Sequence, residues 1–242
     1  PMVDAATGTA LVFNGTIYNY PELRAELIAR GHVFHSDGDT EVILRAYVEW
    51  GEACVERLHG MFAFAIWNRE TLFLARDRLG IKPLYYSENL GRFRFASTPQ
   101  ALLAAGGVDT GLDPVALHHL FTLHAVVPAP RTIFNGVRKL APGTTLTVNV
   151  RGELQHRRYW SLKAQRPAVP KTEAEWTEAI HASLRQAVKK RIEIADVKVG
   201  VLLSGGLDSS LLVALLAEQG VPDLMTFSVG FEDQPEERGN EF

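Results

Sequence analysis

The stretch that most constrains this sequence is a glycine turn between an apolar run and a helix pattern. Valine and leucine crowd residues 197–203, as expected for a strand that is buried on both faces of a parallel sheet. Ser-Gly-Gly-Leu-Asp-Ser-Ser follows at 204–210, and leucines then recur at helical spacing over 211–216. A strand, a glycine loop and a helix N-terminus in this order direct unpaired backbone N–H groups toward one point, where a phosphate can bind.

A second apolar run, from Leu224 to Phe231, predicts another strand and closes a strand-helix-strand unit with a right-handed crossover. The loop has neither the lysine of a Walker A sequence nor the spacing of G-x-G-x-x-G. It resembles the pyrophosphate loop of the ATP pyrophosphatase (PP-loop) enzymes, which adenylate a substrate with ATP and release pyrophosphate. A glycine turn in an ordinary sheet is the plainer alternative, but it gives no role to the hydroxyls and the carboxylate beside the glycines.

Composition narrows the classes of protein that fit. The 242 residues suffice for one or two domains, and 46% hydrophobic with 22% charged residues is ordinary globular composition. A net charge of −3 offers no basic surface for nucleic acid, and neither a membrane-length apolar run nor a signal-peptide pattern is present. Cys54 is the single cysteine, which excludes an intrachain disulfide and fits a reducing compartment. We therefore expect a soluble, cytoplasmic protein.

Both ends of the sequence look cut. The chain begins at Pro1, and the segment after Val197 has room for two parallel strands where doubly wound sheets have about five. Because an open pair of parallel strands would expose apolar edges, we expect an internal fragment of a longer protein.

Short strands and helices alternate through the first 163 residues. The predicted strands are 10–13, 33–34, 61–67, 72–75, 84–86, 93–96, 146–150 and 154–159. The predicted helices are 21–30, 39–50, 52–58, 99–105 and 114–123. Asn14-Gly15 reads as a turn that ends the first strand, and Asp39 and Asp113 read as helix N-caps.

Residues 164–170 are linker-like, with two prolines and few bulky side chains. They separate a predicted domain at 1–163 from a second at 171–242. The second opens with a capping box, Thr172 to Glu175, before a long amphipathic helix.

Five ordered motifs carry a resemblance over nearly the whole chain. They are Phe-Asn-Gly-Thr-Ile-Tyr-Asn at 13–19, Asp-Thr-Glu-Val-Ile-Leu at 39–44, Gly-Met-Phe-Ala-Phe-Ala at 60–65, Ala-Arg-Asp-Arg-Leu-Gly-Ile-Lys-Pro-Leu-Tyr-Tyr at 75–86 and the loop at 204–210. Together they resemble the glutamine-hydrolysing asparagine synthetases. The resemblance implies an N-terminal nucleophile glutaminase, an α/β/β/α sandwich, followed by the start of an α/β PP-loop domain. It also implies that ammonia from glutamine passes through the protein and attacks an acyl-adenylate made from ATP.

The resemblance assigns roles at the glutamine site. Asn14 and Gly15 match the pair that forms the family's oxyanion hole, and a side-chain amide beside a glycine N–H suits that task. Asp39 matches the carboxylate that holds the α-ammonium of glutamine, although on sequence alone a helix cap explains it equally well. Thr16 is a departure, since the family usually has glutamate there, so glutamine binding is expected to be weaker or differently arranged.

The family's catalytic cysteine is the first residue of the mature protein, and neither it nor the arginine that grips the glutamine carboxylate has a counterpart here. Cys54 lacks a neighbouring histidine or arginine cluster that would lower its pKa, so we interpret it as core packing. The chain as given is therefore not expected to hydrolyse glutamine.

The resemblance also assigns an ATP site. Residues expected to hold the pyrophosphate of ATP are Ser204, Gly205, Gly206, Ser209 and Ser210. Asp208 matches the family's Mg²⁺-binding aspartate, and Leu203 and Val229 match backbone positions that contact the adenosine. The acceptor site would lie beyond Phe242.

Two acceptors stay open. Three stretches within 118–140, namely His118-His119, residues 124–132 and residues 136–140, resemble a branch of N-acetylglutaminylglutamine amidotransferases, which amidate a dipeptide rather than aspartate. His118 and His119 are adjacent on a predicted helix and face different ways, so they do not predict a metal site. Thr16 keeps open a β-lactam synthetase-like ligase without glutaminase activity, and a decayed homologue that acts as a binding partner is a third hypothesis. A homodimer is possible, since dimers are common in the family.

Overall fold

The structure, a computed structural model, describes residues 1–195 and 197–230, and its contacts divide the chain into two units, Pro1–Lys163 and Ala164–Phe242. The strands of the first unit are β1 (Met2–Val3), β2 (Ala10–Ile17), β3 (Gly60–Trp67), β4 (Thr71–Arg76), β5 (Tyr85–Asn89), β6 (Arg92–Ala96), β7 (Arg138–Lys139), β8 (Thr144–Asn149) and β9 (Leu154–Arg158). Its α-helices are α1 (Tyr20–Ala29), α2 (Asp39–Trp50), α3 (Cys54–Arg57), α4 (Pro99–Ala104) and α5 (Pro114–Thr122). A 3₁₀ turn, Gly51–Ala53, joins α2 to α3.

Two antiparallel sheets organise the first unit. The larger has the order β1-β2-β3-β4-β8-β9, and the smaller has the order β6-β5-β7. One apolar core joins the larger sheet to α1, α2 and α3, and a second core joins the two sheets through residues such as Leu74 and Tyr86. Helix α4 packs against β5 and β6, where Leu102 is buried. The sandwich of sheets between helices confirms the predicted α/β/β/α fold.

The predicted turn at Asn14-Gly15 is wrong, because β2 continues through both residues. Gly15 lies opposite Phe62 in the β2–β3 pairing, and a Cβ on Gly15 would come within 2.1 Å of the Met61 carbonyl oxygen. Gly60 is under the same steric constraint, since a Cβ added to it would lie 2.2 Å from the Thr16 carbonyl oxygen. These glycines therefore allow a close approach of two paired backbones rather than a reversal of the chain.

The short strand predicted at Val33 and Phe34 is also absent. The backbone N–H groups of His35 and Ser36 both donate to the carboxylate of Glu41, a buried residue of α2. Because this carboxylate satisfies consecutive donors, the segment is held as a loop over the start of α2 and does not pair with a sheet.

A buried aspartate and arginine organise the charged loop that follows β4. The carboxylate of Asp77 accepts hydrogen bonds from the backbone N–H groups of Phe62, Leu79, Ile81 and Lys82. The guanidinium of Arg76 donates to the carbonyls of Gly80, Lys82 and Leu140. The motif at 75–86 is thus a polar clamp that fixes the loop between the two sheets.

The second unit contains α6 (Glu173–Glu193), β10 (Gly200–Leu202), α7 (Leu207–Glu218) and β11 (Met225–Phe227), with β10 and β11 parallel. The predicted capping box is confirmed, because Thr172 and Glu175 exchange both hydrogen bonds. The prediction of a strand buried on both faces is wrong for the described residues. Leu202 is 77% exposed, and Val201 is the β10 residue that packs on the small core of α6 and α7. Phe231, the predicted end of the last strand, lies outside the described residues.

Candidate functional site

The residues predicted to bind glutamine lie at the C-terminal end of β2. Alternation along the strand places Ile17 and Leu11 in the core beneath the helices, so Asn14 and Thr16 project from the opposite face, which is the face toward the smaller sheet. The amide Nδ2 of Asn14 lies 3.4 Å from Ser97 Oγ, to which it donates. Both residues line a cavity of about 130 Å³. Strand β2 thus presents the Asn14 amide and the Thr16 hydroxyl on one face, near its C-terminal end.

Asp39 joins this group through the backbone. Its Oδ2 accepts a hydrogen bond of 2.9 Å from the N–H of Ile17, three residues after Asn14. The predicted N-cap role is wrong, since Gly38 occupies that position and Asp39 is the first residue of α2. Burial raises the pKa of the Asp39 carboxyl, against the lowering effect of the Ile17 N–H. A partly buried carboxylate of this kind gains from a cationic partner.

Ser97 is the neighbour of Asn14 that the sequence did not indicate. It directly precedes Thr98, the N-cap of α4, and a serine beside a helix start is unremarkable in a sequence. Its place beside Asn14 depends on how the two sheets face each other. Ser97 could be identified only from the position of the end of β6 beside the end of β2, which the sequence does not show.

The interpretation of Cys54 as core packing is confirmed. Its side chain is fully buried in the core beneath the helices, and burial raises the pKa of the thiol to about 12. A thiol of this kind stays protonated at neutral pH and is a poor nucleophile.

The segment 204–210 spans the turn between β10 and α7 and the first turn of α7, which begins at Leu207, so the predicted order of strand, glycine turn and helix is confirmed. Gly205 has φ +82°, a left-handed conformation that favours glycine, and Gly206 is the N-cap of α7 without a side-chain capping bond. The Ser209 hydroxyl lies 3.2 Å from that of Ser204 and donates to the Gly206 carbonyl. The loop therefore presents hydroxyl groups beside a helix N-terminus whose first N–H groups need acceptors.

The other residues of the predicted ATP site surround this loop or follow β11. Asp208 lies in the first turn of α7 and is exposed. The N–H of Leu203 donates to the Phe227 carbonyl, and Ser228 Oγ donates to the Leu203 carbonyl. Val229 is exposed two residues after β11. Both backbone positions assigned to adenosine thus lie at the carboxyl end of this parallel pair, where ligands bind in open α/β sheets.

The donor set fits Mg²⁺ bound chiefly through phosphate oxygens. Within residues 1–195 and 197–230, no group of three or more histidine, cysteine, aspartate or glutamate side chains could hold a metal ion. Asp208 supplies one carboxylate, and Mg²⁺ in nucleotide sites commonly takes one or two carboxylates together with substrate phosphates. His118 and His119 have ring centroids 6.2 Å apart and belong to no metal cluster of the described chain.

Among the residues that the structure describes, no helix is long and apolar enough to cross a bilayer.

In sequence, this chain matches two known protein families. The glutamine amidotransferase domain family matches residues 1–160, and the asparagine synthase family matches residues 179–242. Asparagine synthetase [glutamine-hydrolyzing] 3 of Bacillus subtilis (strain 168) is 38% identical over 92% of this chain and 37% of its own length. Asparagine synthetase [glutamine-hydrolyzing] 1 of the same organism is 40% identical over 93% of this chain and 35% of its own. The chain thus spans about a third of the length of these relatives.

More distant matches include an amidase and a solved structure. Amidase chry2 of Gibberella zeae is 33% identical over 90% of this chain and 32% of its own length. The glutamine phosphoribosylpyrophosphate amidotransferase of B. subtilis, solved with ADP and GMP, is 16% identical at a TM-score of 0.46 over 99% of this chain and 50% of that one.

Proposed function

Because this chain belongs to the glutamine amidotransferase domain family and continues into a segment that matches the asparagine synthase family, we propose that the protein is a glutamine-dependent and ATP-dependent amide ligase. In the proposed reaction, ATP and a carboxylate form an acyl-AMP and release pyrophosphate. Ammonia from glutamine then attacks the acyl carbon, which gives the amide and AMP. The observation that carries the proposal is the order of the two matched families on one chain.

The glutamine half rests on the end of β2. The Asn14 amide and the Gly15 N–H would donate to the oxyanion of a tetrahedral intermediate, where loss of one donor typically costs about 10²–10³ in rate. Asp39 would bind the α-ammonium of glutamine, and its partly buried carboxylate supports this role. Thr16 would offer a hydroxyl where the resembled family usually has a carboxylate. A lower affinity for glutamine is the expected consequence.

The ATP half rests on the turn between β10 and α7 and on the first turn of α7. Ser204, Gly205, Gly206, Ser209 and Ser210 would hold the phosphates through hydroxyl and backbone N–H groups. Asp208 would hold Mg²⁺, which would neutralise phosphate charge when bound. Leu203 and Val229 would contact the adenosine through their backbones. The exposed loop leaves these donors accessible.

The acceptor is either aspartate or a dipeptide. The names of the B. subtilis relatives favour aspartate, and the resemblance of residues 118–140 favours N-acetylglutaminylglutamine. In the structure, this segment contains the C-terminal part of α5, a left-handed pair at His124 and Ala125 and a cis peptide bond before Pro130. The two acceptors are therefore compared directly in the test.

The test measures release of AMP and pyrophosphate by the full-length protein with Mg-ATP and glutamine. Aspartate and N-acetylglutaminylglutamine are offered in parallel, and the acceptor that drives release identifies the branch. Asp208→Ala should abolish AMP formation and leave glutamine hydrolysis intact. Glu178→Ala removes an exposed carboxylate of α6 and serves as the matched control, with AMP formation unchanged.

Each other outcome contradicts part of the proposal. AMP formation that persists in Asp208→Ala would contradict the Mg²⁺ role of this carboxylate. AMP formation that never requires glutamine would favour the β-lactam synthetase-like alternative. Failure of the full-length protein to bind ATP would favour a binding protein that has lost catalysis.

A further inference from the structure

A cleft opens where the edges of the two sheets of the first unit meet, away from the end of β2. Its volume is about 650 Å³, and its walls come from β5 and β7 of the smaller sheet and from β8 and β9 of the larger sheet. None of the residues that line it belongs to the glutamine or ATP sites described above. A cleft of this volume is in the range of small-molecule sites.

One face of strand β9 lines this cleft and carries basic side chains. Leu154, His156 and Arg158 line the cleft, whereas the intervening Arg157 pairs with Glu56 on the other side of the sheet. His156 lies opposite Leu146, a residue of the core between the sheets, which fixes the direction of this face. The alternation of side chains therefore places the two adjacent arginines on opposite faces of β9: Arg157 pairs with a carboxylate, and Arg158 lines the cleft.

The smaller sheet adds a second arginine from the facing wall. Arg138 of β7 lies directly opposite Tyr86 of β5 in the strand register, and both residues line the cleft. The Tyr86 side chain is buried in the core between the sheets, and its hydroxyl lies 3.2 Å from His156 Nε2. The tyrosine thus joins the two walls at the base of the cleft.

The arginines of this cleft lack carboxylate partners. Among residues 1–195 and 197–230, the guanidinium groups of Arg138 and Arg158 make neither a hydrogen bond nor an ion pair, and Glu88 carries the one carboxylate of the lining. Lys139 also lines the cleft, but its Nζ donates to the Val127 carbonyl. Positive charge is therefore in excess in a cleft that has a fixed polar base.

We propose that this cleft binds a small phosphate-bearing anion, held between Arg138 and Arg158 with His156 and Tyr86 at its base. Arginine binds phosphate through parallel N–H donors, and two arginines on facing walls can contact different oxygens of one group. A phosphate group at neutral pH carries about 1.5 to 2 negative charges, which matches two unpaired guanidinium groups better than the single charge of a carboxylate does. The site is independent of the proposed ligase reaction.

The test is isothermal titration of the full-length protein with inorganic phosphate and pyrophosphate, in the absence of ATP, with Ser209→Ala titrated in parallel to identify any binding at the proposed ATP site. Arg138→Gln and Arg158→Gln should each raise the dissociation constant about tenfold or more, because each removes a charge-assisted contact. Arg157→Gln is the matched control, since it removes the same charge from the neighbouring position on the other face of β9. Its exposed ion pair contributes little to folding, so binding should stay within about twofold of wild type. Citrate is titrated in parallel as a carboxylate probe.

A second readout places the ligand. At a phosphate concentration that half-saturates wild type, the ring signals of His156 should shift in the NMR spectrum of wild type, and the shift should be much smaller in Arg158→Gln. Absence of binding by either phosphate probe, or equal affinity in wild type and both cleft variants, would overturn the proposal. Citrate that binds as tightly as pyrophosphate would overturn the assignment to phosphate.

Discussion

The two units of this chain assemble their candidate residues by different means. In the first unit, Asn14 contacts Ser97, and Asp39 contacts Ile17, so each contact joins separate elements. In the second unit, Ser204 contacts Ser209, five residues later, where the turn after β10 meets the first turn of α7. The proposed glutamine site therefore depends on tertiary packing, whereas the geometry of the proposed phosphate loop is encoded by a few consecutive residues.

Burial follows the same division. The first unit has two apolar cores built from buried residues of several strands and helices, whereas the described core of the second unit has Val188, Leu215 and Leu216 as its buried members. Substitutions in the two cores of the first unit should consequently act through stability, whereas substitutions in the exposed loop of the second should act through local order or chemistry.

The largest stability effect is expected at Asp77. Asp77→Ala leaves four backbone donors without their acceptor in a buried loop, so the free energy of unfolding should fall by about 3 kcal/mol or more. Denaturant unfolding measures this loss. Asp109→Ala, which removes an exposed carboxylate bonded to the Gly111 N–H, should cost about 1 kcal/mol or less. Equal losses would contradict the clamp.

Next in size is the effect of a methyl group on Gly15. Gly15→Ala places a carbon against the Met61 carbonyl oxygen, so β2 and β3 must separate, at a cost of about 2 kcal/mol or more. Gly38→Ser is the control, because no heavy atom lies within 4 Å of a Cβ there and serine is a favoured N-cap. A stable Gly15→Ala protein would show that the strands are not closely apposed at this position.

A smaller effect concerns pH. Burial acts to raise the pKa of Glu41, but the Ser36 hydroxyl, the N–H groups of His35 and Ser36, and Arg45 outweigh it and hold that pKa below its ordinary value of 4.5. A lowered pKa contributes stability above the unfolded pKa, and this contribution is lost as the pH falls through the folded pKa.

The melting temperature of wild type should therefore decline more steeply than that of Glu41→Gln as the pH falls from about 6 to about 3. The variant should be the less stable protein at the upper end of this range. Parallel curves would show that Glu41 does not titrate differently in the folded chain.

The smallest effect is expected at the start of α6. Thr172→Ala removes the acceptor of the Glu175 N–H, so hydrogen exchange at this amide should accelerate about fivefold. Thr177→Ala should leave that amide unchanged, since the Thr177 hydroxyl bonds to the Glu173 carbonyl within the same helix. Acceleration that spreads into the first unit would contradict the local character of this cap.

The sequence predicted best those features that depend on neighbouring residues. The capping box at Thr172, the N-cap at Asp113 and the hairpin of β3 and β4 are confirmed, because alternation, turn residues and caps act within a few positions. The turn between β10 and α7 is confirmed for the same reason, although α7 begins at Leu207, within the predicted loop.

Predictions failed where a distant residue decides the local structure. Asn14-Gly15 resembles a turn, but the approach of Met61 on β3 determines why a glycine is present. Asp39 resembles a helix cap, but its carboxylate accepts a hydrogen bond from the N–H of Ile17, 22 residues earlier. Ser97 and the basic cleft depend on how two sheets face each other, which no short sequence window contains.

The most direct test of the proposed ligase follows the amide nitrogen. The full-length protein is supplied with Mg-ATP, glutamine labelled with ¹⁵N at the amide, and either aspartate or N-acetylglutaminylglutamine. The proposal predicts that the label appears in the amide of one acceptor and that AMP and pyrophosphate form in equal amounts with it. Formation of ADP and phosphate, or an amide that carries no label when glutamine is the sole nitrogen source, would contradict it.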